Sequence, residues 1–396
     1  MKYCIIVPDG MADTPVEALA GRTPLEAAAT PNMDRLAMDG RMGLVRLVPE
    51  GYPPGSDVAN LSLVGYDPRA YYCGRAPLEA AAMGIRLGPG QIAFRANLVT
   101  VADGRMRDYS AGAISTTEAR VLVEALNGAL ETDAVRFYPG VSYRHLLIYS
   151  GPEPIDLVTT PPHDILDEPV AGHMPVGRGQ EIVRRTMSAS REVLAAHEIN
   201  RVRVDLGENP ATQVWLWGEG PAPNMPTFQE RYGLTGAAIT AVDLIRGIAT
   251  IAGWDIINVP GATGFFDTDY AAKGLHAVTA LQGHDLAYVH IEAPDEAGHH
   301  GDLQAKIKAI EAVDRDIVGP VRDALRQYGA YRLLVLPDHP TPLAIRTHTS
   351  DPVPFAMSGR HVPVGRGRPL TEANAEATHF VVDPGHTLMD LFLEKA

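Results

Sequence analysis

The chain has 396 residues, long enough for two domains of ordinary size. Its 45% apolar and 21% charged residues are the composition of a folded globular protein, not of a disordered one. A formal net charge of −14 argues against a nucleic-acid partner, which needs a basic face, but leaves room for a local cationic pocket and an anionic substrate.

In chain order, the first predicted strand is Cys4–Val7, which runs into Pro8-Asp9-Gly10. The run is shorter than the apolar stretch of a secretory leader. Cys4 and Cys73 are the only cysteines, and they make neither a CxxC pair nor a zinc-finger spacing. A reducing, cytoplasmic location is therefore expected. Thr30-Pro31 opens a helix that Gly40 is placed to close. In Pro53-Pro54-Gly55-Ser56-Asp57, Gly55 allows a sharp bend and helical patterning resumes after it. A serine at such a helix start meets backbone N–H groups that favour phosphate. Read locally, Ser56 is equally a plain N-cap.

From about Arg75 to about Pro226 the pattern changes. A helical stretch, Thr116–Leu130, mixes with strand-like runs such as His145–Tyr149, and Gly220–Pro226 reads as a Pro-rich linker. We expect a domain at 75–226 inserted into a core made of 1–74 and 227–396. The longest apolar region, Gly236–Gly253, is interrupted by Asp243 and Arg246, so no membrane span is expected. Asp255–Val259 and Leu286–Ile291 read as strands, the second followed by Glu292-Ala293-Pro294-Asp295. Asp302 is placed to cap a helix whose apolar face is Leu303, Ile307, Ile310, Val313, Ile317 and Val321. A last strand, Arg332–Leu336, ends in Pro337-Asp338-His339. Strands alternating with helices predict an α/β core with a mostly parallel sheet.

Three of these strands lead into Asp9, Asp295 and Asp338. Sites in open α/β sheets form beyond the carboxyl ends of the strands, so the three carboxylates can converge there. Asp295 and His299 are four apart, on one face of a helical turn, where they could hold one ion. The plain alternative is a polar helix start with solvated histidines. His348, nine residues after His339, could equally be a hydrogen-bonded loop residue. There is no Walker-type Gly-x-x-x-x-Gly-Lys-[Ser/Thr] loop and no G-x-S-x-G elbow.

Taken together, these segments resemble the phosphoglycerate mutases that do not need bisphosphoglycerate, in their archaeal form, within the alkaline phosphatase superfamily. The resemblance runs through Pro8-Asp9-Gly10-Met11, Thr23–Ala28, Thr30–Asp34, Pro54–Asp57, Gly65–Pro68, Gly74–Ala80, Pro260–Gly264, Asp295–His299, Asp338-His339 and His348–Pro354. It implies an alkaline-phosphatase-like, mostly parallel sheet flanked by helices, with an inserted α+β lid. It implies two divalent ions, with manganese expected and magnesium, zinc or cobalt as alternatives. Asp295, His299 and His348 would hold one, and Asp9, Asp338, His339 and the Ser56 oxygen the other.

The implied reaction interconverts 3-phosphoglycerate and 2-phosphoglycerate through a phosphoserine at Ser56. The partner is then a small phosphorylated carboxylate. Arginine forks suit its anionic groups, so Arg75, Arg95 and Arg144 are clamp candidates, followed by His145, His163 and Lys273. Asp57 and Asn60 are candidates to orient Ser56 or the leaving group. A bacterial subset proposed as homoserine kinases of threonine synthesis shares stretches such as Pro54–Leu63 and Thr160–Asp164. A homoserine kinase-like phosphotransferase, or a phosphomonoesterase, is therefore an alternative on the same scaffold.

Overall fold

The apolar run that opens the chain becomes the middle of a sheet, covered on both faces, which is why it shows no polar alternation. The computed structural model describes residues 1–365 and 367–394. The chain divides into two units, Met1–Tyr72 with Met225–Ala396, and Cys73–Asn224.

Among the described residues, the first unit carries eight strands. They are β1 (Lys2–Pro8), β2 (Arg41–Val45), β3 (Gly236–Ile239), β4 (Asp255–Ile256), β5 (Leu286–Ile291), β6 (Tyr331–Val335), β7 (Val353–Gly359) and β8 (Val381–Val382). Their order is β4-β3-β5-β1-β6-β7-β2-β8. The pairings from β4 to β6 are all parallel, and β7 runs antiparallel to both β6 and β2. Val7 pairs with His290 and Ile6 with Val335, so the carboxyl ends of β5, β1 and β6 lie side by side. One core cluster contains Cys4, Ile6, Val289 and Val335 from the sheet and Ile310, Ile317 and Val321 from the helical run after Asp302.

That run starts as predicted. The Asp302 side chain accepts from the Ala305 N–H at 2.9 Å. It then widens into a π turn over Asp314–Val318. There the buried Asp314 carboxylate accepts from the Met33 and Asn32 N–H groups at 2.7 and 3.2 Å and caps the Pro31–Met38 helix.

On the same helix, Lys306 is fully buried and donates to Asp13 Oδ2 at 2.7 Å and to the Thr341 carbonyl at 2.8 Å. Removing one member of a buried pair strands the other charge. Lys306→Met is therefore expected to destabilise the protein by about 3–5 kcal/mol, read by urea denaturation.

The expected strand over Asp255–Val259 is only two residues long. Among the described residues it is the edge of the sheet, paired with β3 alone, and β3 ends at Ile239. Gly220 and Pro221, read as linker, close a strand over Gln213–Pro221.

The second unit is an antiparallel sheet built on Ile92–Ala102, which pairs with Arg105–Asp108, Arg144–Tyr149 and Gln213–Pro221. Val135–Val141 pairs with the outer side of Arg144–Tyr149. Leu122, Val123 and Leu126 of Thr116–Leu130, and Val183 and Met187 of Gln180–Ala196, pack with Phe94, Ala96 and Leu147 on one face. Among the described residues, no helix is long and apolar enough to cross a membrane.

Candidate metal centre

Each carboxylate leaves the edge of the sheet from a neighbouring element. Asp9 follows β1, and Asp338-His339 follows β6. Asp295 sits in the first turn of helix α2 (Ala293–His300), which begins two residues after the end of β5. All three aspartates and His339 are buried. Their ligand atoms form two groups, Asp9–Asp338–His339 and Asp295–His299–His348, each within 4.8 Å.

In the second group His299 Nε2 lies 3.2 Å from Asp295 Oδ2, and His348 Nε2 lies 3.3 Å from Asp295 Oδ1. Burial pushes the Asp295 carboxyl up, but hydrogen bonds from His299 and His348 outweigh it and hold the group well below the carboxylate range. The same contact raises His299 to about 9. In the first group His339 Nε2 is 3.5 Å from Asp9 Oδ1 and 3.6 Å from Asp338 Oδ2. Burial, then the charges of Asp338 and Asp295, raise Asp9 well above its ordinary value.

Gly10 lets the chain pass between these groups. Its φ is +61°, and a Cβ there would lie 2.5 Å from Thr341 Oγ1 and 2.6 Å from Asp295 Oδ1.

Ser56 is the first residue of helix α1 (Ser56–Leu63), behind Gly55 at the N-cap. Its Oγ lies 3.1 Å from His339 Nε2, so the hydroxyl stands beside the Asp9–Asp338–His339 group and at a helix N-terminus. One turn on, the Asn60 amide donates to the Ser56 carbonyl at 2.8 Å and to Asp338 Oδ2 at 2.7 Å, and it accepts from the Tyr288 hydroxyl. These partners make Asn60 a positioning residue that ties the serine helix to the Asp338 carboxylate. Asn60→Ala leaves Tyr288 and Asp338 short of a buried partner. It is expected to cost about 2–3 kcal/mol of stability in a denaturant titration, together with a lower kcat.

The donor set fits divalent ions. Buried carboxylates meet imidazole nitrogens here, the mixed O/N set that suits first-row ions. Among the described residues, the ion-pair partners of Asp9, Asp295 and Asp338 are histidines, with no lysine or arginine among them. Asp9 Oδ1 is buried with no hydrogen-bond partner among the described residues.

The remaining expected residues fall into separate places. Asp57 is buried and accepts from the Tyr72 hydroxyl at 2.7 Å. Lys273 is buried and donates to the His290 carbonyl at 3.2 Å; burial lowers it to about 8, against the pull of Glu292.

In the second unit Arg95 pairs with Glu79 at 3.2 Å and lies 4.4 Å over the Trp217 ring, which His163 approaches edge-on at 5.3 Å. Burial and the like charges of Arg75 and Arg144 hold Arg95 below its ordinary value, with Glu79 opposing. His145 is not with them. Strand alternation turns it with Ala96 to the opposite, buried face, where Nδ1 accepts from Gly140 N–H at 2.9 Å and burial lowers the ring to about 3.

Sequence reasoning missed Thr341, which donates to Asp295, and Tyr288, His290 and Glu292. Thr341 and Tyr288 carry no motif. His290 lies inside a strand read only as apolar, although its single polar side chain was visible there.

Residues 37–200 match the family model described as 2,3-bisphosphoglycerate-independent phosphoglycerate mutase. A protein of that name from Methanothrix thermoacetophila is 52% identical over 394 residues, 99% of this chain and 100% of its own length. The second protein of that name from Methanothermobacter thermautotrophicus is 51% identical over 397 residues, 100% of this chain and 98% of its own. Two solved structures match throughout. A Pyrococcus horikoshii protein has a TM-score of 0.84 at 30% identity, covering 100% of this chain and 98% of that one. The cofactor-independent phosphoglycerate mutase from Thermoplasma acidophilum has a TM-score of 0.69 at 28% identity, covering 100% and 99%.

Proposed function

Because the chain belongs to the 2,3-bisphosphoglycerate-independent phosphoglycerate mutases, we propose that Ser56 is the residue that carries the phosphoryl group in its reaction. The enzyme is an isomerase that interconverts 3-phosphoglycerate and 2-phosphoglycerate. The observation that carries the assignment is the Ser56 hydroxyl, 3.1 Å from His339 and beside the Asp9–Asp338–His339 group.

Two divalent ions, manganese by our reading, would be held by Asp295, His299 and His348 and by Asp9, Asp338, His339 and Ser56. When bound, they supply positive charge to the phosphoryl oxygens and favour deprotonation of the serine. Ser56 Oγ attacks phosphorus in line, the P–O bond to one glycerate hydroxyl breaks, and that oxygen takes a proton. The glycerate turns, its other hydroxyl attacks the phosphoserine, and Ser56 recovers its proton. The first-turn N–H groups of α1 face the transferring group's negative charge.

The carboxylate must stay held between the two transfers, and water must stay out. Within the inserted unit we assign anion binding to Arg75, Arg144 and His163, with Arg95 fixed between Glu79 and Trp217. The like charges of Arg75 and Arg144 near Arg95 favour an anion there. Lys273 serves the metal side, and Asp57 steadies the first turn of α1 through Tyr72.

The full-length relatives do not favour a homoserine kinase or a phosphomonoesterase. The test is isomerisation of 3-phosphoglycerate by manganese-loaded enzyme, without added bisphosphoglycerate, beside homoserine phosphorylation with ATP. Isomerisation alone is expected. O-phosphohomoserine without isomerisation would overturn the reading.

A further inference from the structure

Thr341 lies two residues after His339 and is fully buried. Its backbone is held from both sides. The N–H donates to the Ala12 carbonyl at 3.2 Å, and the carbonyl accepts from Lys306 Nζ at 2.8 Å. Two glycines make room for it. A Cβ on Gly298 of α2 would lie 2.5 Å from the Thr341 carbonyl oxygen, and a Cβ on Gly10 would lie 2.5 Å from Oγ1. The hydroxyl is therefore fixed in place, between a ligand of each metal group. Oγ1 bonds to Asp295 Oδ1 and lies 3.3 Å from His339 Nδ1.

The order of the protons follows from what each atom can do. An ionised carboxylate only accepts, so the Thr341 O–H donates to Asp295. That spends its one proton, and Oγ1 can then only accept from His339, whose Nδ1 must carry hydrogen. The lone pair of a neutral ring is then on Nε2. This nitrogen faces Ser56 Oγ at 3.1 Å, Asp9 Oδ1 at 3.5 Å and Asp338 Oδ2 at 3.6 Å. A lone pair among these oxygens suits a cation's ligand set. The His348 ring packs over His339 with centroids 4.0 Å apart, but such packing is nearly the same for a ring turned over by 180°. The bond to Thr341 tells one edge of the ring from the other.

We infer that Thr341 is a positioning residue that joins the two metal groups through one hydroxyl, fixing His339 as the Nδ1–H tautomer and holding Asp295 in register with it. The inference rests on the reading of both groups as metal ligands. Loss of the hydroxyl leaves the His339 N–H without its acceptor and frees the ring to turn, while Asp295 loses a donor, so both ions are held less tightly.

The test is a Mn2+ titration of the metal-free full chain, with folding checked by circular dichroism. Wild type is compared with Thr341→Val, which keeps the shape and removes the hydroxyl, and with Thr341→Ser, which keeps the hydroxyl. Thr341→Ala replaces Thr341→Val if the latter does not fold. Two ions per wild-type chain are expected. Both dissociation constants should rise about 10–100-fold in Thr341→Val and stay near wild type in Thr341→Ser. Unchanged constants in Thr341→Val overturn the inference, as does weakening of one ion alone. Equal weakening in Thr341→Ser also overturns it, since packing and not the hydroxyl would then matter. Fewer than two ions in wild type overturns the two-metal reading itself, and the inference with it.

Discussion

Ser56→Ala is expected to lower isomerisation by at least about 10^4-fold, the order seen when a covalent nucleophile is removed from an otherwise complete site. The loss should fall on kcat, because the hydroxyl makes and breaks the bond to phosphorus, while the groups that hold the glycerate are untouched. Ser56 opens α1, and among the described residues its Oγ bonds to His339 alone. Its removal therefore leaves the helix cap at Gly55 and the Asn60 network intact, and the protein should keep its melting temperature. Manganese binding should weaken only modestly, since Asp9, Asp338 and His339 remain. Quenched wild-type enzyme should carry a phosphoryl adduct on Ser56. Isomerisation by Ser56→Ala at the wild-type rate would refute the carrier role.

Asp338→Asn should be nearly as damaging and for a different reason. Asp338 Oδ1 accepts from the Gly10 N–H at 3.3 Å and the His339 N–H at 2.9 Å, and Oδ2 accepts from Asn60. Every one of these donors is satisfied by a carboxylate. An amide in its place turns an NH2 group toward one of them and removes a negative charge from the metal group. Changes one shell further out already cost about 10–100-fold in metal affinity or activity. Loss of a ligand should exceed that, with metal content and isomerisation falling together. Chelation of the wild-type enzyme should abolish activity, and added manganese should restore it. Undiminished activity in a chelated, metal-free sample would overturn the metal dependence.

The parts of this site that the sequence displays are those tied to strand ends. Cys4–Val7, Leu286–Ile291 and Arg332–Leu336 are apolar runs with abrupt polar ends, and parallel packing places those ends together. Asp9, Asp295 and Asp338 were therefore legible as converging carboxylates without any relative. His348 was not. It reaches the group from a loop whose course is set by tertiary packing, and its membership came only from the resemblance. His290 stayed hidden because a histidine inside an apolar strand looks like a core residue. His145 went the other way. Beside Arg144 it read as a clamp residue, but neighbours along a strand face opposite sides. The Asp255–Val259 run had strand composition but lacked a partner beyond Ile239, which composition cannot reveal.

The position of β1 has a consequence for how the chain is made. This strand leaves the ribosome long before β5 and β6, yet it sits between them, and Lys2 pairs with Tyr331. At about 5–20 residues per second, roughly 16–65 s of translation separate the two halves of that pairing. Throughout that interval the nascent N-terminal segment keeps an apolar strand without neighbours, while residues 73–224 emerge whole and can close their own core. Synthesis thus delivers the insert before β5 and β6 of the host, and the strand that leads to Asp9 stays unpaired until they have been made.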